Sequence, residues 1–185
     1  ENLIDAKEQT IIPGLIDAHC HFYRMGLQQQ KVSLEGTKSY EEVLEKIVAF
    51  QKEKNLTFIS GRGWDQNDWE IKEFPTKEKL DKLFPTIPVA VGRVDGHALL
   101  VNQAAIDLSG ITKDTKISGG EIILKNGKMT GILIDSAMDF IKFPETSSQA
   151  AKKGLLAAQK ISFSYGLTTV DDAGLDRNTI ELIDD

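Results

Sequence analysis

With one cysteine, Cys20, in 185 residues, the chain cannot close an internal disulfide. Its stability must come from a packed core, and a reducing cytoplasm is the expected compartment. It has no apolar run near the ~20 residues a membrane-crossing helix needs, and no charged-then-apolar leader is read at its opening, so no membrane partner is expected. It has no basic excess either. Lysine and arginine number 22 against 28 acidic residues, a net charge of −6, and no Lys/Arg cluster interleaves with the 7% of aromatic residues, which argues against a nucleic-acid partner. No internal repeat or low-complexity linker is present. What remains is 41% hydrophobic residues, enough for one domain or two small ones. Glu1 to Thr10 reads as a strand and turn already under way and the last residues as a helix in progress, so a piece of a longer chain is expected.

The stretch around which the chain is organised is Ile11-Ile12-Pro13-Gly14-Leu15-Ile16-Asp17-Ala18-His19-Cys20-His21-Phe22. An apolar strand ends in two histidines one residue apart, and alternation on a strand sends His19 and His21 to one face and Cys20 to the other. Two imidazoles on one face suit a zinc-like ion, which takes about four ligands and leaves one position open when it is catalytic. The competing reading is a chance pair on a half-buried strand; the Pro-Gly before the strand and the strand's buried character favour ligation. Cys20 is read as packing.

Further along, Tyr23 to Leu34 is weakly patterned and reads as loop. Ser39-Tyr40-Glu41-Glu42 fits a capping box opening a helix that Asn55 ends. Thr57 to Ser60 reads as a strand running into a loop, Gly61-Arg62-Gly63-Trp64-Asp65-Gln66-Asn67, which either punctuates the surface or lines a site. Pro75-Thr76 opens a short helix stopped by Pro85, and Pro88 to Val94 reads as a strand ending at Asp95-Gly96-His97. That tripeptide either holds a ligand or makes a turn. Asn102 caps the next helix, with Gly110 as its stop. Asn126-Gly127 between two strand-like runs predicts a hairpin, and Asp135 is read as the N-cap of a short helix behind it, with a ligand role as the lesser alternative. Ser147 or Ser148 starts a longer helix with Leu155, Leu156 and Ile161 inward, closed by Gly166. Leu167 to Gly174 then repeats the opening logic of a strand with a polar end, where only one of Asp171 and Asp172 can face inward.

Taken together, IIPGLIDAHCHF, GRGWDQNDW, RVDGHALLVN, NGKMTGILID and GLTTVDDAG resemble the amidohydrolase superfamily, in its N-substituted-formamide-deformylase-like branch, in order along nearly all of the chain. The resemblance implies an α/β fold: part of a (β/α)8 TIM barrel with an inserted α+β subdomain between barrel strands 1 and 2. Residues 1–21 would then be the link from a β-sandwich plus the first strand, 22–166 the insert, and 167–185 the second strand and the start of its helix. It also implies a metal-dependent hydrolase acting on a carbon-nitrogen bond of a small non-peptide amide by metal-activated water. His19 and His21 would bind the metal, one or two divalent ions with zinc foremost. His97 would contact substrate, and Asp95, Trp64, Asp65 and Arg93 would wall the pocket. The remaining ligands and the proton-transferring aspartate of the family have no counterpart in this stretch. The alternatives are a non-catalytic folding unit that binds metal weakly and forms homo-oligomers through open strand edges, or a regulatory member without hydrolysis.

Overall fold

A computed structural model describes residues 5–184. The expectations for residues 1–4 and for Asp185 lie outside the described residues. The chain divides into two compact units, one built from 1–30 and 146–185, the other from 31–145. Among the described residues no helix is long and apolar enough to cross a membrane.

In the first unit β1 (Leu15–Cys20) pairs in parallel with β8 (Leu167–Asp172), from Leu15 opposite Leu167 to Cys20 opposite Asp172. Backbone bonds from Leu15 N to Gly166 O (2.8 Å) and from Ala173 N to Cys20 O (2.9 Å) close the two ends. The strand is less buried than its apolar sequence suggests: Ile16 is 67% exposed and Leu15 half so. The stretch read as loop after the histidines holds α1 (Phe22–Gln28) and β2 (Val32–Ser33) instead. α1 has no capping side chain and no acidic first turn. It is a helix by tertiary contact, which local signals cannot announce.

That contact is with α5 (Ser148–Ser164), capped by the Ser147 hydroxyl accepting from Ala150 N. The inner face of α5 is Ala151, Gly154, Ala158 and Ser162, whereas Leu156, expected inside, lies exposed. The reason is close approach: a Cβ on Gly26 of α1 would sit 2.0 Å from the Gly154 carbonyl oxygen, so only a stripe of small residues admits the neighbouring backbone. Gln30 Nε2 adds a bond to Ala150 O at 2.7 Å. The unit ends in α6 (Arg177–Asp184), whose first turn the Asp176 carboxylate caps by accepting from Thr179 N.

The second unit is a six-stranded mixed sheet in the order β2-β3-β4-β5-β7-β6, with β3 (Ile59–Trp64), β4 (Val89–Arg93), β5 (Ala98–Val101), β6 (Gly120–Lys125) and β7 (Lys128–Asp135). β2, β3 and β4 run parallel and the remaining pairs antiparallel. Both faces are covered. Val89, Val91, Leu100 and Ile132 point into a core with Val43, Leu44 and Ile47 of α2 (Tyr40–Lys54) and with Leu80 of α3 (Glu78–Leu83). Their neighbours Ala90, Leu99, Val101 and Leu133 point the other way, onto Ala105 and Ile106 of α4 (Gln103–Ser109). The period-2 alternation of strands therefore feeds two clusters.

Local expectations hold at several joints. Ser39 accepts from Glu42 N (3.1 Å), and Asn55 ends α2 at φ 49. Asn126 (φ 53) and Gly127 (φ 72) both adopt the left-handed turn the hairpin requires. Two further expectations fail. The glycine-containing stretch 61–64 is strand, not loop: Gly61 lies where a Cβ would be 2.4 Å from Val32 O, so glycine lets β2 come alongside. Asp135 caps no helix but ends β7 at φ 47, and the helical turn Met138–Phe140 starts without any capping side chain.

Candidate functional site

His19 is the penultimate residue of β1 and His21 the N-cap residue of α1, so a strand end and a helix start hold the pair. Their ring centroids are 5.8 Å apart with planes at 72°, both side chains are exposed, and neither ring carries a hydrogen bond within the described residues. His19 N donates to Asp17 Oδ1 (3.1 Å), which fixes the backbone between them. Two neighbouring imidazoles with free nitrogens fit part of a metal's coordination sphere. Among the described residues no group of three or more His, Cys, Asp or Glu converges on one point. Asp172, at the end of β8, is spoken for by Tyr23 N, which donates to its Oδ2 at 2.8 Å.

Cys20, half-buried, borders with Asp17 and His21 a cavity of about 430 Å³. Desolvation first, then the Asp17, Asp172 and Asp171 carboxylates, push its thiol above the ordinary range against one opposing backbone hydrogen bond at Phe22. It stays a thiol, in keeping with a packing role.

The other five candidates belong to the second unit, and the sheet topology brings them to one end of it. β3 and β4 finish there with Trp64 opposite Arg93, β5 starts there, and β7 returns to it with Ile134 opposite Ala98. Asp95 is the organiser. Its carboxylate accepts from Arg93 Nε (2.9 Å) and Nη2 (2.7 Å) and from His97 N (3.0 Å). The Arg93 guanidinium beside it is the main reason its pKa falls to about 2. The same bond raises Arg93, whose guanidinium also lies 5.5 Å from the Phe74 ring centre. Gly96 (φ 82) makes the turn, so Asp95-Gly96-His97 is both a turn and a display of His97. Asp65 is half-buried and accepts from Asn67 N at 2.9 Å. Trp64 is fully buried and donates to Val91 O at 2.8 Å, so it underlies this end as core rather than forming a wall.

Sequence reasoning left two residues outside its candidate set here. Asp135 Oδ1 lies 2.8 Å from His97 Nδ1, a pairing across 38 residues that no local pattern signals. Gln66 is buried with its side-chain oxygen unpartnered among the described residues. Only its place after a strand-end tryptophan could have drawn notice.

A model of the amidohydrolase family matches residues 2–183, and the chain belongs to that family. Amidohydrolase YtcJ of Bacillus subtilis (strain 168) is 35% identical over 89% of this chain and 32% of its own length. The Arabidopsis thaliana protein LONG AFTER FAR-RED 3 is 33% identical over 92% of this chain and 30% of its length. N-substituted formamide deformylase of Arthrobacter pascens is 28% identical over 97% and 35%. The chain thus spans about a third of the length of the curated relatives it matches. Its mixed α/β fold is shared with an uncharacterized metal-dependent hydrolase from Pyrococcus horikoshii OT3, at TM-score 0.67 and 23% identity, covering 92% of this chain and 33% of that one.

Proposed function

We propose that this chain supplies the first metal ligands and a substrate-recognition unit of a metal-dependent amidohydrolase that cleaves the carbon-nitrogen bond of a small non-peptide amide. In this reading β1 and β8 are the first two strands of a (β/α)8 barrel, and the α+β insert expected between them over 22–166 is narrowed to the compact unit 31–145, because α1 and α5 belong to the unit that holds the two strands. The observation that carries it is the His19–His21 pair, exposed and side by side where β1 ends. Family membership and the deformylase relative support the choice of bond.

The two imidazole rings offer two nitrogen donors, which suits zinc, and the other donors are assigned to later parts of the full-length protein. A divalent ion held there would supply an activated water and a polarised carbonyl. His97 contacts the substrate, with Arg93, Asp95 and Asp65 shaping the rim around it and Trp64 holding that rim from below.

The test is metal content and amide hydrolysis in the full-length protein with His19→Ala and His21→Ala. Each substitution is expected to remove most bound metal and at least a hundredfold of activity, in line with losing a direct ligand rather than an outer partner. Unchanged metal and unchanged turnover in both variants would sink the reading. A second reading, that the 185-residue chain alone is a non-catalytic unit, is favoured by the lack of a third donor among the described residues. On that reading the isolated chain holds zinc weakly and substoichiometrically.

A further inference from the structure

The alternation that sends His19 to one face of β1 ends with the strand at Cys20, so it does not by itself place His21. His21 has left the strand. Its backbone, at φ −122 and ψ 62, belongs to neither strand nor helix, and the direction of its ring follows from what holds the residues on either side of it.

Both holds come from the end of β8. Ala173 N donates to Cys20 O at 2.9 Å just before His21, and Asp172 Oδ2 accepts from Tyr23 N at 2.8 Å just after it. Asp172 is half-buried, whereas its neighbour Asp171 is exposed. α1 begins with no capping side chain of its own, which would leave the Tyr23 N–H among the orphan donors of a first helical turn. A carboxylate 149 residues further along the chain takes the place of the missing N-cap side chain. The first turn of α1 carries that constraint back to His21, whose carbonyl accepts from Met25 N at 2.8 Å.

We propose that Asp172 is a positioning residue for the metal ligand His21: by capping α1 from the neighbouring strand it sets the bend between β1 and α1, and so the angle at which the His21 ring stands beside His19. The proposal rests on the reading of His19 and His21 as metal ligands. An ion that takes its nitrogens at ~2 Å tolerates little error in where they point, so loosening the bend weakens binding without removing a donor. The contact is an N–H on an acceptor oxygen, and it needs the oxygen rather than a charge.

The test is the zinc affinity of the full-length protein, read by competition with a chromophoric chelator. His21→Ala, which removes a ligand, sets the reference loss. Asp172→Ala is expected to weaken zinc by about 10–100-fold, as loss of an outer partner does. Asp172→Asn, whose amide oxygen accepts the same N–H, is expected to restore most of that affinity. Gln30→Ala cuts a different bond of the α1–α5 contact, that of Gln30 Nε2 to Ala150 O, and is expected to leave zinc binding unchanged. Asp172→Leu, which fills similar space without an acceptor, replaces Asp172→Ala should the smaller side chain fail to fold. Unchanged affinity in the variant without an acceptor, or an equal loss in Gln30→Ala, overturns the positioning role. So does an Asp172→Asn loss as large as that of His21→Ala, which would make Asp172 a direct donor. If His21→Ala itself holds zinc as wild type does, the ligand reading fails and this proposal falls with it. A loss in His21→Ala with none on removing the Asp172 acceptor leaves the ligand reading standing and removes the positioning role alone.

Discussion

Asn102 shows how much one side chain can carry. Fully buried, its oxygen accepts from Val89 N (2.9 Å) and Ala105 N (3.0 Å), and its nitrogen donates to Phe84 O (2.8 Å) and Ile87 O (2.9 Å). It caps α4 and also stitches β4 to the turn after α3. Asn102→Ala therefore strands four polar groups in a dry core, and a loss of about 3–5 kcal/mol is expected in denaturant unfolding. A loss under about 1 kcal/mol, the value of a simple cap, would show that water replaces those bonds. The cap was legible in the sequence, since Asn before an apolar helix is a strong local signal. The other contacts were not, because they come from Val89, Phe84 and Ile87, 13 to 18 residues away. His97 divides the same way: Asp95-Gly96-His97 marks it locally, whereas its partner Asp135 is set by β7 returning beside β5. Asp95 makes the matching prediction for pH. Its pKa is depressed in the folded state to about 2, mainly by Arg93, so its contribution is present above the unfolded value of ~3.9 and lost as pH falls through 2. Because its side chain is 43% exposed, solvent screening limits that contribution to ~0.2–1 kcal/mol. Urea unfolding of Asp95→Asn should lie below wild type by that margin at pH 7, with the gap closing toward pH 2; a gap that widens in acid would contradict the sign.

At the scale of elements, the lesson lies in α5. Its sequence places leucines at helical spacing, so a reading by hydrophobicity turns Leu155, Leu156 and Ile161 inward. The partner leaves Leu155 and Ile161 half-buried and Leu156 outside: α1 presents Gly26, and what packs against a glycine at backbone distance must be small. A packing face chosen by close approach instead of by apolar area leaves no mark in a hydrophobic pattern. Gly26→Ala places a methyl on the Gly154 carbonyl, where no flexible side chain can yield. The two helices must separate, and a loss of at least ~2 kcal/mol is expected for the first unit. Gly154→Ala meets its nearest atoms, on Gln30 and Leu27, at 3.2 Å and should cost less, while gaining helix propensity. Thermal unfolding of the two variants orders them; equal stability would mean that the helices have room to slide. The same close-approach logic explains why Gly61-Arg62-Gly63 is strand. Two glycines in a row of polar residues read as loop, but they are what lets β2 and the chain beyond it lie against β3.

Over the whole chain, the two units differ in how completely they bury their own apolar residues. The 31–145 unit covers both faces of its sheet with helices and loops, and its edge strands are a two-residue β2 and a β6 bearing Glu121 and Lys125. It has few reasons to seek partners. The other unit leaves Ile11, Ile12, Leu15 and Ile16 exposed along a two-stranded parallel sheet, an element that by itself is marginal in water. Parallel strands are normally covered on both faces, so this surface favours association with further protein, including a second copy. The 31–145 segment expressed alone should therefore melt cooperatively and stay monomeric. The 185-residue chain should show a mass in light scattering that rises with concentration, and Ile16→Lys, on the exposed strand, should suppress that rise. Assembly of the 31–145 segment to the same extent would move the sticky surface to the sheet unit, and the open β1–β8 pair would no longer explain self-association.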